Sequence, residues 1–539
     1  MSIYGGGIAA IFLSFVAAVL VSCSNETQPE PAKVPQNAGQ VNAPSPGRST
    51  VRRAADVVID STHPRPPFQF SPEDAALLDE VQHGAFRFLW GYGAPETGMA
   101  PDRSSKTVVS IAGVGFQLSA IPIGVERGWI TRQEGQQRAE LILGSLANNP
   151  TNRKAGLFFH YLDPTTAGPS DQGYEVVVST IDSALFFAGV ITASSYFGGE
   201  VARIGDGLLA AADWSFFVAG PDSKEFERGF ISLAWKPQSN TDPTGDGALV
   251  PYYWLDNGDE HKLVTFLAVA APRPAHAVEP ALYYKLRRQI GQYENSGPIV
   301  WFPWSGALFT AFFAHCWIDY AAMGPDDPAA FGVANRVRTD WWENSRRLVN
   351  MHRAKAIENP KGFAGFGQNQ WGLSASDIPG GYGVPGLFPE PIRLQGAIPE
   401  LDYPSGSNIA PDNWGDGTVA PYAAGCSILF EPAAAIAALR HYKQLATPDG
   451  PPLVWRDPAS GDRAACGFLD SFNLTSRGGE AEGERAGWVA TDYVSIDQGP
   501  LILAIENART GLVSRLFHTH PVVQWGLSRL KLERRNRTP

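Results

Sequence analysis

From Ser71 onward the apolar positions recur mainly at helical spacing. Ser71-Pro72-Glu73-Asp74 has the form of a helix start, with a Ser cap, Pro in the first turn and two acids at the positive end of the dipole. Val81, Ala85, Phe88 and Leu89 continue it as one apolar face. Thr131 and Glu134 have capping-box spacing ahead of Ala139, Leu141, Ile142 and Leu146. Further helices are predicted near 108–126, 179–195, 201–218, 260–270, 305–322, 339–358, 432–446 and 499–515. Several are apolar on most sides, as in Ala184-Leu185-Phe186-Phe187-Ala188 and Leu501-Ile502-Leu503-Ala504-Ile505. Such helices are buried within a large domain. The stretches 218–258 and 361–430 are instead rich in Gly, Pro, Trp and Asp, and loops of that length inside a domain are usually functional. No repeat of fixed period and no linker follows residue 66, so one all-α domain is expected over 67–539. Alternation of wholly buried helices with amphipathic ones suggests an inner and an outer ring.

The N-terminal end differs from this pattern. Ile8 to Val21 is an apolar run of signal-peptide length, too short to span a membrane comfortably. Leu20-Val21-Ser22-Cys23 resembles a bacterial lipobox, which implies a signal peptide over 1–22 and lipid attachment at Cys23. Residues 23–66 carry much Pro, Ser, Asn and Gln and read as a flexible tether. The expected location is the cell envelope, at the outer membrane or in the periplasm, with membrane contact only through the lipid.

Composition narrows the function classes. Hydrophobic residues are 44% of the chain, enough for a large core. The net charge is −11, which disfavours nucleic acid as a partner because phosphate binding needs a basic surface. Beyond Cys23 the cysteines are Cys316, Cys426 and Cys466, with no CxxC spacing, so buried free thiols are expected and no metal site is. His315 lies beside Cys316 and Trp317, but neighbours on a helix point about 100° apart, which disfavours a Cys–His nucleophile pair. A core or sugar-binding histidine is the expectation.

Three stretches share a layout of loop, carboxylate and buried helix. They are Ser179-Thr180-Ile181-Asp182, Trp254-Leu255-Asp256-Asn257-Gly258-Asp259-Glu260 and Asp492-Tyr493-Val494-Ser495-Ile496-Asp497. Each carboxylate could be a helix cap worth about 1 kcal/mol. Together, with Trp and Tyr in the adjoining loops, they suggest a cleft at one end of a helix bundle. Paired carboxyls in an aromatic cleft suit glycoside cleavage, in which one protonates the leaving oxygen and the other activates water or attacks carbon.

Ser110-Ile111-Ala112-Gly113-Val114-Gly115-Phe116 and Pro122-Ile123-Gly124-Val125-Glu126-Arg127-Gly128-Trp129 resemble the glucoamylase-like bacterial family related to glycoside hydrolase family 144, the endo-β-1,2-glucanases. Ser179 to Asp182, His315 to Asp319, Glu343 to Arg347, Trp371 to Asp377, Gly380-Gly381-Tyr382, Asp416 to Pro421 and Ile496 to Pro500 extend the likeness in order. The resemblance implies an (α/α)6 barrel, two rings of six helices, cutting a β-1,2-glucan with inversion. The family's acid motif resembles Gly-Tyr-Asn-Glu; here it reads Asn257-Gly258-Asp259-Glu260, which matches Glu260 to the acid. The changed residues before Glu260, and Val177 where the family often has Glu (Glu175 is two residues away), leave room for another glucan. Asp497, Asp377 and Asp416 are candidate bases, Asp497 the preferred one.

The reading is a β-glucan hydrolase with Glu260 as acid and Asp497 or Asp377 as base. Substrate contacts are expected from Asp182, Trp254, His315, Trp317, Arg346, Trp371, Tyr382 and Asp416. The chemistry requires no cofactor, and a monomer is expected. The alternatives are an exo-acting or transglycosylating enzyme on another linkage, and a lipoprotein that binds glucan without cutting it.

Overall fold

The computed structural model describes residues 54–534, apart from 62–66, 171–175, 225–227, 256–257, 303–305, 334, 393–411, 447–449, 451 and 476–486. Cys23, the signal peptide, most of the tether and Glu175 lie outside the described residues. Thirteen α-helices are present among them. They are α1 Pro72–Gly91, α2 Ile111–Glu126, α3 Arg132–Asn148, α4 Thr180–Phe197, α5 Gly199–Ala211, α6 Gly258–Val269 and α7 Ala281–Lys285. α8 Trp341–Glu358, α9 Pro421–Cys426, α10 Pro432–Gln444, α11 Ser495–Arg509, α12 Leu512–Thr519 and α13 Pro521–Leu530 complete the set.

The predicted starts of α1 and α3 form through their side chains. Ser71 Oγ accepts from Asp74 N at 3.1 Å while Asp74 accepts from Ser71 N, and Thr131 and Glu134 reciprocate likewise. α2, α4, α6 and α9 and the first three turns of α11 are buried on nearly every side. α2 packs on α4 and α11, α4 on α6, and α6 on the turns of 308–316. Phe312 from those turns meets Tyr422 of α9, which packs on α11 and closes the circuit. α1, α3, α5, α8, α10 and α13 lie outside, each against a member of the circuit. The α2–α4 crossing is close because Gly115 and Gly189 face each other there: a Cβ on Gly189 would sit 2.0 Å from Gly115 O.

Three predicted elements differ. The helix expected over 305–322 is instead a set of 3-10 turns at Leu308–Ala311, Ala314–Cys316 and Tyr320–Ala322. Tertiary acceptors capture its amides: Leu308 N donates to Leu373 O, Phe309 N to Ser374 Oγ and Ala314 N to Asp259 Oδ2. The helix expected over 201–218 stops at Ala211, and Asp213 caps a separate turn at Trp214–Phe217. The stretch 499–515 breaks after Arg509, where Gly511 takes a left-handed φ of 67°. The long loop before α6 also folds into strands, 178–179 pairing with 234–239 and that with 242–249. The all-α expectation therefore holds for the framework but not for its connections.

The leading ends of the buried helices are tied to one another. Ile111 N donates to His160 O, and Ser495 N to Asp102 O at 2.8 Å. Trp254 Nε1, just ahead of α6, donates to Thr180 Oγ1 of α4 at 2.8 Å. Val419 pairs with Phe472 just ahead of α9, and Asp470 N donates to Asp492 O just ahead of α11. The positive ends of α2, α4, α6, α9 and α11 thus gather on one side.

Candidate active site

Carboxyl groups concentrate where those helix ends meet. Asp182 occupies the first turn of α4, Asp259 and Glu260 that of α6, and Asp497 that of α11; all four are buried. Asp182 does not cap its own helix, since Ser179 Oγ already accepts from Asp182 N. Its Oδ1 lies 3.5 Å from His160 Nε2, and the His160 ring stacks on Tyr161 at 3.9 Å. Asp102 lies beside this pair, its pKa raised by burial against the charges of Arg103 and His160.

A second group of carboxyls comes from loops. Arg103 donates to both oxygens of Asp377 at 2.9 and 3.0 Å and lies 3.7 Å from Asp492. Asp492 is held by Ser104 Oγ, Ser105 N and Ser105 Oγ, each at 2.8 Å. Asp377 sits on a hairpin, directly across from Tyr382, and its amide donates to Asp470 Oδ2 at 2.7 Å. Asp470 and Asp497 are hydrogen-bonded to each other through their side chains. Asp470 Oδ1 and Asp497 Oδ2 are buried and have no donor. Two carboxyls bond directly only when a proton lies between them.

Burial and the neighbouring Asp377 push Asp470 up to about 7. Burial and Asp470 raise Asp497 well above the usual carboxylate range. Asp377 is raised by burial as well, but the Arg103 guanidinium opposes that rise and favours its charged form. A carboxyl whose pKa is higher folded than unfolded holds more protons in the folded chain. Stability therefore falls as pH rises from about 4, the unfolded value, through the folded value. Asp470→Asn should flatten that decline in melting temperature between about pH 4 and 7. An unchanged slope would show that Asp470 does not carry the proton.

Several expected contact residues are enclosed by the protein. Trp317 and Trp371 are 0% exposed, so neither presents a ring face to a sugar. Trp317 donates to Ser119 Oγ and packs on Phe116, and the backbone amide of Trp371 donates to the Tyr442 hydroxyl. Trp254 is buried as the tie between α4 and α6. His315 is enclosed by Tyr320 and Phe430, with its Nε2 3.1 Å from Ser345 Oγ. Arg346 is committed to Glu343 and Glu431 on the outer layer. Asp416 forms a turn, accepting from Thr418 N and Oγ1. Each of these six is engaged by other groups of the protein. Tyr382 and Asp182 stay at the carboxyl cluster. Cys316, Cys426 and Cys466 are buried free thiols, as expected.

Asp470, Asp492, Arg103 and His160 were not predicted as site residues. Asp492 opens the stretch that leads into α11, whereas Asp470, Arg103 and His160 sit in loops without a helix-start pattern, so no local signal marks those three. Arg103 precedes Asp377 by 274 residues and Asp470 follows it by 93.

A family model named Glycoamylase and described as "Putative glucoamylase" matches residues 251–521, half of the chain. An exo beta-1,2-glucooligosaccharide sophorohydrolase (non-reducing end) of Parabacteroides distasonis is 27% identical over 492 residues, covering 85% of this chain. This chain spans 58% of that relative's length. An endo-beta-1,2-glucanase structure from Chitinophaga pinensis, in complex with sophorotriose and glucose, superimposes with a TM-score of 0.65 at 22% identity, covering 85% of this chain and 98% of that one. A beta-1,2-glucanase structure from Parabacteroides distasonis gives 0.65 at 24% identity, covering 87% and 61%. At these identities the structural likenesses are of fold.

Proposed function

The chain belongs to the Glycoamylase family, and on that premise we propose that it is a glycoside hydrolase cutting β-1,2-linked glucan. The proposed framework is an (α/α)6 barrel, supported by the closed circuit of buried helices, the 308–316 turns serving as one inner member. The proposed linkage is that named for the sophorohydrolase relative.

One observation carries the chemistry. Glu260 starts α6, whose leading end is tied to that of α4, and a loop-borne carboxyl cluster adjoins the leading end of α11. In this reading Glu260 protonates the glycosidic oxygen as the bond breaks. Asp377 accepts the proton of the attacking water, directly or through a substrate hydroxyl, and inversion follows. Asp377 suits the base role better than Asp497, because a base must be ionised. Arg103 favours the charge on Asp377, whereas Asp497 shares a proton with Asp470. Asp497 and Asp470 then carry a single charge between them, as two adjacent carboxyls must. Tyr382 and Asp182 border the substrate. The reading also includes lipid attachment at Cys23 and a cell-envelope location, supported by the sequence alone.

Linear β-1,2-glucan should yield new reducing ends, and the first-formed product should carry the inverted, α anomer by proton NMR. Disaccharide alone from the earliest time would mark exo action, and a ladder of lengths endo action. A β anomer would replace inversion by retention. Binding without reducing ends across a glucan panel would favour the non-catalytic lipoprotein.

A further inference from the structure

Glu260 is flanked in α6 by two charged residues that the reaction itself does not need. Asp259 and Lys262 form an ion pair of 2.6 Å with side chains 1% and 2% exposed. Such a pair is costly, because taking two charges out of water can outweigh their attraction, and apolar replacements are often no less stable. Stability alone is therefore a weak reason for it. Its contacts point elsewhere. Asp259 Oδ2 accepts from Ala314 N at 3.0 Å, holding the turn at Ala314–Cys316 to the start of α6. Lys262 Nζ lies 4.0 Å from the centre of the Trp341 ring and 4.9 Å from that of Tyr320. The first turn of α6 is thereby clamped to three neighbouring elements, the turns at Ala314–Cys316 and Tyr320–Ala322 and α8, at the residues on either side of the acid.

Resting on the reading of Glu260 as the acid, we propose that the buried Asp259–Lys262 pair is a positioning element: it fixes the first turn of α6 and keeps the ground beside Glu260 electrically neutral. Asp259 places a buried negative charge next to Glu260, and Lys262 supplies the charge that cancels it. The surrounding titratable groups are His315, 3.9 Å from Asp259, Cys316 and Tyr320 on the turn segment, and Arg288 with Asp326 beyond Lys262. Arg288 and Asp326 are themselves paired at 2.7 Å, so Asp259 and Lys262 supply the charges that can become unbalanced.

The test compares pH profiles of kcat/KM for Asp259→Asn, Lys262→Met and the double variant on β-1,2-glucooligosaccharide. The basic limb reports the acid. With Asp259→Asn the remaining cation favours ionised Glu260, and the limb moves to lower pH by about one unit. With Lys262→Met the remaining anion moves it to higher pH by about as much. Both single variants lose kcat more than they change KM. The double variant, neutral again, returns the limb to within about 0.3 unit of the parent. Opposite shifts cannot come from loosened packing, which would move both singles alike. Limbs that shift together, or stay in place in folded protein by circular dichroism, would overturn the proposal. If Asp259→Asn does not fold, Lys262→Met and the double variant still decide it. Glu260→Gln run beside them separates the readings: if it stays fully active, the acid assignment fails and not merely the clamp.

Discussion

Glu260→Gln should lower kcat on β-1,2-glucan by about 100- to 10,000-fold with little change in KM. Gln keeps the shape and hydrogen-bonding reach of the acid but has no proton to give. The glycosidic oxygen must then leave as an alkoxide, and the whole loss falls on the transition state. An aryl glycoside that accommodates the same sugars should lose much less, because a phenolate leaves without protonation. That split distinguishes a missing proton from a disturbed fold. Glu260 is 3% exposed at the start of a fully buried helix, so a melting curve belongs beside the kinetics. Retention of more than about a tenth of the activity would remove Glu260 from the acid role.

Gly189→Ala should destabilise the chain by about 3 kcal/mol or more and reduce soluble yield. The added carbon would meet Gly115 O at 2.0 Å, and the reciprocal Gly115 substitution would meet Leu185 O at 2.3 Å. Both obstacles are backbone, so no rotamer change relieves them. α2 and α4 would have to separate, and with them the leading ends that bring Asp102, His160 and Asp182 together. Gly207→Ala is the matched control. Gly207 lies inside α5 with nothing within 4 Å of the added carbon, and the change should stabilise by up to about 1 kcal/mol. Equal effects at the two positions would show that the close crossing does not constrain the fold.

These two experiments fall on opposite sides of what can be read from a chain. Glu260 was visible in the sequence as a carboxylate at a helix start near Trp254, and its likeness to the family's acid motif singled it out. The glycines at 115 and 189 were visible as letters but not as a contact. The α2 and α4 sequences are apolar on every side, so no stripe says which face meets which neighbour.

The amino-acid sequence by itself determined the helix starts at Ser71 and Thr131, the burial of α2, α4 and α11, the buried thiols and the family. These depend on capping chemistry, helical periodicity and residue order, all carried by contiguous residues. Only the tertiary structure decided that the 305–322 segment gives up its helix, since its amides find acceptors on Asp259, Leu373 and Ser374. It likewise enclosed Trp317 and Trp371 and paired Asp377 with Arg103. The reason is common to all three. A side chain's partner and its access to water follow from what packs beside it, and here those neighbours lie dozens to hundreds of residues away along the chain. Protonation obeys the same logic: Asp470 and Asp497 are ordinary aspartates in the sequence, and burial beside other carboxyls is what raises both.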